Sequence, residues 1–189
     1  MPLPPHQPRT RLHDRSVVFR GYLRDDSLWD IEAEMRDTKP QVLDIPRVGV
    51  WQPGELIHNM TIRLTIDDAL VVREIAVAMD DVPHPECPLV QAPMQMMIGC
   101  TVGPGWRQAI ERNLGGIRGC AHLRELLFNM ATVAFQTIPE EPTGDPVQGP
   151  PHYVGKCMTW DFNGPTVQRV HPVFFGRQTK TGAKEVKSG

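Results

Sequence analysis

Proline placement constrains this chain more than any other feature. Its 189 residues include 19 prolines, about double the ~5% share of an average protein. Pro2, Pro4, Pro5 and Pro8 crowd the first eight residues, and five more fall between Pro139 and Pro151. Each proline inside a helix costs about 3 kcal/mol, so a bundle of long helices is excluded. With 40% hydrophobic and 22% charged residues, the chain has the composition of a globular protein able to bury a core without disulfide staples. The formal net charge of −2 lacks the basic footprint of a nucleic-acid binder. No apolar run approaches the ~20 residues of a membrane span. MPLPPHQPRTRLHDR carries no secretory h-region. The expected location is cytoplasmic.

Between the proline clusters the pattern is that of antiparallel strands. SVVFRGYLRD is rich in β-branched and aromatic residues, and Asp25-Asp26-Ser27 supplies a turn. In LWDIEAEMRD, Trp29, Ile31, Ala33 and Met35 alternate with Asp30, Glu32 and Glu34, which predicts a half-buried strand and a hairpin. KPQVLDIPRVGVWQPGE reads as a long connection. IHNMTIRLTID puts His58, Met60, Ile62, Leu64 and Ile66 on one face, and ALVVREIAVAMD returns beside it. Helical spacing follows in WRQAIERNL and more strongly in CAHLRELLFNMATVAFQTI, ended by Pro139 and Pro142. Asn163-Gly164 signals a late hairpin. The expected fold class is α+β, an antiparallel sheet of two hairpins plus a late C-terminal hairpin, packed on one face by helices. The expected boundaries are a flexible tail over 1–15, a single domain over 16–175 and a second tail over 176–189. Arg9, Arg11, Arg15, Arg20 and Arg24 make the start basic, and a solvated tail is the favoured reading of the first arginines.

LRDDSLWDIEAEMRDTKP, GELIHNMTIRLTID, MDDVPHPEC and GPGWRQAIERNLGGIRGCAHLRELLFNMATVAFQT together resemble the bacterial domain-of-unknown-function family 2889 (DUF2889). The resemblance runs from about Phe19 to Thr137 and is expected to continue through Cys157 to Pro172. The family has no settled activity; that its members often accompany aromatic-compound catabolism is what the resemblance implies for a small-molecule role. Asn59 departs from the I-H-D-M element expected there.

GGIRGCAHLRELL holds the leading candidate site. Cys120 falls at a helix start, where unpaired N–H groups and nearby Arg118 and Arg124 favour a thiolate. His122 and Glu125 follow within a turn. His58 lies on an apolar strand face, where its ring nitrogens need partners. The expected catalytic residues are His58, His122 and Glu125. Convergence of Cys87, Cys120 and Cys157 with His122 would make a tetrahedral zinc set, and iron or an iron–sulfur centre would also accept the thiolates. No CxxC spacing supports that set, and a buried, inert cysteine is the plain alternative. Cys100, among Met94, Met96, Met97 and Ile98, reads as core. Asp30, Glu32 and Glu34 read as a solvated face paired with Arg20 and Arg24 rather than an acid–base set. Asp37 and Lys39 read as turn residues.

No nucleotide-binding, GxSxG or redox-cofactor fingerprint is present. The leading expectation is a soluble enzyme with lyase or hydrolase chemistry on a small aromatic or apolar metabolite, with no nucleic-acid or membrane partner and a homodimer expected from symmetry statistics alone. The alternatives are a metal- or cluster-carrying accessory protein and a non-catalytic small-molecule binding module.

Overall fold

The computed structural model describes residues 2–139 and 149–177. The chain divides into two compact units, Met1–Ile138 and Pro139–Gly189.

The first unit is built on a four-stranded antiparallel sheet. Its strands are β1 (Asp14–Leu23), β2 (Trp29–Thr38), β5 (His58–Ile66) and β6 (Val72–Asp81), ordered β1-β2-β5-β6. The first turn follows from Ser27, whose φ of 63° lets the chain reverse, with Arg24 N–H donating to Leu28 O. Strict alternation buries Ile31, Ala33 and Met35 from β2 and Met60, Ile62, Leu64 and Ile66 from β5 on one face. The opposite face is charged. There Glu34 meets Arg20 and Arg36, Glu32 meets Arg63, and Asp30 accepts the Thr65 hydroxyl. The trio Asp30, Glu32 and Glu34 is thus a cross-strand ion-pair surface.

Residues 39–55, expected as a plain connection, contain a small hairpin of β3 (Leu43–Ile45) and β4 (Gly49–Trp51). Arg47, with φ of 68°, turns it. Helices cover the apolar face: a short α1 (Gln91–Met94), α2 (Trp106–Leu114) and the long α3 (Ala121–Thr137). Leu123, Leu126, Leu127, Met130 and Ala134 form the buried stripe of α3, which lies over β1, β2 and β5. The Trp106 indole N–H donates to Leu127 O at 2.8 Å and joins the two longer helices. Cys100 packs against this core.

The second unit corrects one expectation. Instead of a late hairpin, its described part carries a short α4 (Pro165–Val170) flanked by single 3-10 turns at Met158–Trp160 and Pro172–Phe174. The reason is Pro165. A proline after Asn-Gly has no N–H for a strand ladder, but its fixed φ suits the first helical position. Gly164 becomes the N-cap, and the Asn163 N–H donates to Asp161 Oδ1 in an Asx turn. Val154, Phe162, Val167 and Phe174 form a small core here. The α+β class stands without the extra hairpin. Arg15 belongs to β1 rather than to a tail, and residues 178–189 of the expected C-terminal tail lie outside the described residues.

Candidate functional site

The site sits where the apolar face of the sheet ends. Continuing the alternation of β2 past Met35 brings Asp37 onto the same face, and the register then aligns a polar row. Arg15 of β1 pairs with Asp37 of β2, which pairs with His58 of β5. Asp37 is 1% exposed, and an isolated carboxylate could not remain ionised there. It is not isolated. Arg15 donates from Nε to Oδ1 at 2.7 Å and from Nη2 to Oδ2 at 2.8 Å, a bidentate fork. His58 Nδ1 lies 3.0 Å from Oδ2, and His13 Nε2 lies 3.3 Å from Oδ1. Burial pushes the Asp37 carboxyl up, but Arg15 and then His58 outweigh it, so the group is held below its ordinary range. An ionised carboxylate only accepts, so His58 carries its proton on Nδ1 and a neutral ring leaves Nε2 as an acceptor.

The start of α3 supplies the rest. Cys120 is its N-cap residue and His122 lies in its first turn. The His122 and His58 rings meet with centroids 4.4 Å apart at 57°. Cys120 makes no direct cap hydrogen bond. Burial raises its thiol, yet interaction with the His122 ring and with the Leu123 and His122 N–H groups outweighs burial and lowers it below the ordinary thiol value. Glu125 points back to the sheet and accepts from Arg15 Nη1 at 3.2 Å. The Arg15 guanidinium therefore ties the polar row to the helix that bears Cys120 and His122.

Cys120 also lines an open cavity of about 610 Å³, together with Gly119, Arg118 and Ile117 before it and His84, Glu86, Cys87, Leu89, Val90 and Pro93 from the segment after β6. Asp37, His58 and His122 thus form one cluster, with Arg15 on its sheet side and Cys120 and the cavity on its helix side.

Of the residues predicted from sequence, His58, His122 and Cys120 are thus brought together. Glu125 is held one step away through Arg15, and Cys87 shares the cavity wall with Cys120. Cys157 is exposed and belongs to the second unit. Among the described residues, the group whose potential metal-ligand atoms lie within 4.8 Å of one another is Asp37, His58 and His122. Cys87 and Cys120 are not members of it. Both Asp37 oxygens already accept from the Arg15 fork, so a metal ion would have to compete with a guanidinium for them. His58 and His122 meet as a ring contact, while Asp37 is joined to Arg15 and His58 by hydrogen bonds.

Sequence reasoning missed Asp37, Arg15 and His13. The signal for Asp37 was present, because positions 29, 31, 33, 35 and 37 alternate without a break. Asn59 lies on the opposite strand face from His58, paired with Arg36 and Asp81, so its departure from the expected aspartate falls outside the polar row.

A family model described as "Protein of unknown function (DUF2889)" matches residues 13–136. The chain belongs to that family. The DUF2889 match begins at His13 and spans every residue of the cluster and the cavity wall, whereas the second unit lies beyond it. No curated protein and no solved structure matches the chain. Among the described residues, no helix is long and apolar enough to cross a membrane.

Proposed function

We propose that this DUF2889 protein is a hydrolase of small apolar or aromatic esters or thioesters, with Cys120 as nucleophile. The observation that carries the proposal is the cluster of buried Asp37, His58 and His122 beside a cysteine on a cavity wall, whose thiol the His122 ring lowers. It has the logic of a nucleophile, a base and an orienting carboxylate. Asp37, held by Arg15, fixes the His58 tautomer. His58 supports the His122 ring, and His122 takes the thiol proton. The Cys120 sulfur then attacks the substrate carbonyl carbon, forming a carbon–sulfur bond. The leaving alcohol or thiol departs with the proton from His122. Water, deprotonated by His122, attacks the acyl-cysteine, releasing the acid and returning the proton to sulfur. Leu89, Val90, Pro93 and Ile117 supply an apolar wall for the substrate.

A lyase is the second reading, favoured by the His58–His122 ring pair, which would move protons with no covalent bond to sulfur. A panel of p-nitrophenyl and thioester acyl substrates, followed by intact-protein mass spectrometry, separates the two. The hydrolase reading expects an acyl adduct on Cys120 and turnover lowered at least ~100-fold in Cys120→Ala and His122→Ala. Full turnover in Cys120→Ala, with the fold retained, overturns it. Turnover lost in His58→Ala and His122→Ala but kept in Cys120→Ala selects the lyase.

A further inference from the structure

The cavity beside Cys120 combines two features that point to one ligand chemistry. The first is apolar side chains left in water at its wall. Leu89 is 73% exposed and Ile117 is fully exposed, although both line the cavity with Val90 and Pro93. Large apolar side chains on a concave surface mark a place where an apolar partner lies. The second is an uncompensated cation. Arg15, Arg24 and Arg73 all meet carboxylates. Arg118 instead donates from Nη2 to the Glu111 carbonyl at 3.1 Å, and among the described residues it forms no ion pair with an acid. That bond anchors the guanidinium of this cavity-lining residue to the end of α2 and leaves most of its five N–H groups for a ligand. Neighbouring geometry is braced too, because Arg124 donates to Leu114 O and Gly116 O and secures the loop that carries Arg118.

We propose that Arg118 binds a carboxylate, so that the cavity takes a small apolar molecule with an acidic end, its apolar body lying against Leu89 and Ile117 and its acid on the guanidinium. This specifies the substrate class of the site proposed above and rests on that reading for the cavity being the substrate site. A guanidinium recognises a planar carboxylate in a bidentate fork, which an alcohol or amide cannot reproduce. Glu86 lines the same cavity and opposes the anion, which sets the direction of a second test.

Isothermal titration calorimetry with 3-phenylpropionate and with 3-phenylpropan-1-ol reads the proposal directly. It is performed on the full-length Cys120→Ser variant, so that binding is measured without turnover and a failure of the hydrolase reading does not hide it. The expected result is acid binding at least ~10-fold tighter than alcohol binding. Arg118→Gln should remove that preference, Arg118→Lys should restore part of it, and Ile117→Ser should weaken acid and alcohol alike. Glu86→Gln should tighten the acid alone. Equal binding of acid and alcohol, or no binding of either, overturns the proposal. So does a preference that survives in an Arg118→Gln protein whose melting temperature matches the parent. If the acid preference holds while no acyl adduct forms on Cys120, the hydrolase reading falls and the carboxylate site stands.

Discussion

Replacing Asp37 with asparagine tests the centre of the cluster. Asparagine keeps the shape and one acceptor oxygen but removes the charge that faces Arg15, His58 and His13. Removing one partner of a buried ion pair costs about 3–5 kcal/mol. Here the Arg15 side chain is 32% exposed, so water compensates part of its lost partner. Asparagine also retains one acceptor, which leaves a net loss of about 2–3 kcal/mol. For a protein of this size that lowers the melting temperature by about 5–10 °C. The pH dependence carries a separate signature. The folded-state carboxyl is depressed below its unfolded value, so its stabilisation is present above the ordinary carboxylate range. It is lost as pH falls through the folded value. Differential scanning calorimetry from neutral pH downward should therefore show the parent converging on Asp37→Asn in acid. Turnover should fall about 100-fold or more, because an asparagine can present an N–H to His58 and reverse its tautomer. A variant that melts within about 1 °C of the parent at pH 7, where a loss of this size should be visible, would refute the reasoning. So would one that keeps a parallel pH profile.

Three further outcomes follow from the same geometry. Iodoacetamide should label Cys120 faster than Cys87 at neutral and mildly acidic pH, because the lowered thiol holds its thiolate to lower pH; His122→Ala should slow that labelling, measured by peptide mass spectrometry. Equal rates for parent and variant would sink the Cys120–His122 coupling. Arg15→Lys keeps the charge but loses the fork to Asp37 and the reach to Glu125, and should cost about 1–2 kcal/mol in denaturant unfolding. Gly21→Ala should cost about 1–3 kcal/mol, because the added Cβ would sit 1.9 Å from Thr137 Oγ1 at the end of α3. Thr137→Ala should recover part of that loss in the double variant.

Alternation alone was enough to place the central sheet. The residues from Trp29 to Met35 and from His58 to Ile66 repeat with period two, and a pleated strand turns that repeat directly into a buried and a solvated face. The stripe from Leu123 to Ala134 likewise defined α3, since a 3.6-residue period has one way to be buried. The late hairpin misled because Asn-Gly is a strong local signal, while the proline after it decides between ladder and helix. The small β3–β4 hairpin was missed because prolines dominate its surroundings and its strands are three residues each.

For the site, the sequence by itself determined which side chains were chemically able: His58 on an apolar face, Cys120 and His122 at a glycine-flanked helix start. It could not determine their distances, because pairing register and helix placement are set by contacts between residues far apart in the chain. Only the tertiary structure decided that Arg15, Asp37 and His58 share one row, and that α3 lowers His122 onto it. The physical reason is burial. Once the apolar face closes under α3, the polar residues that end each strand cannot keep their water, and they hold one another instead.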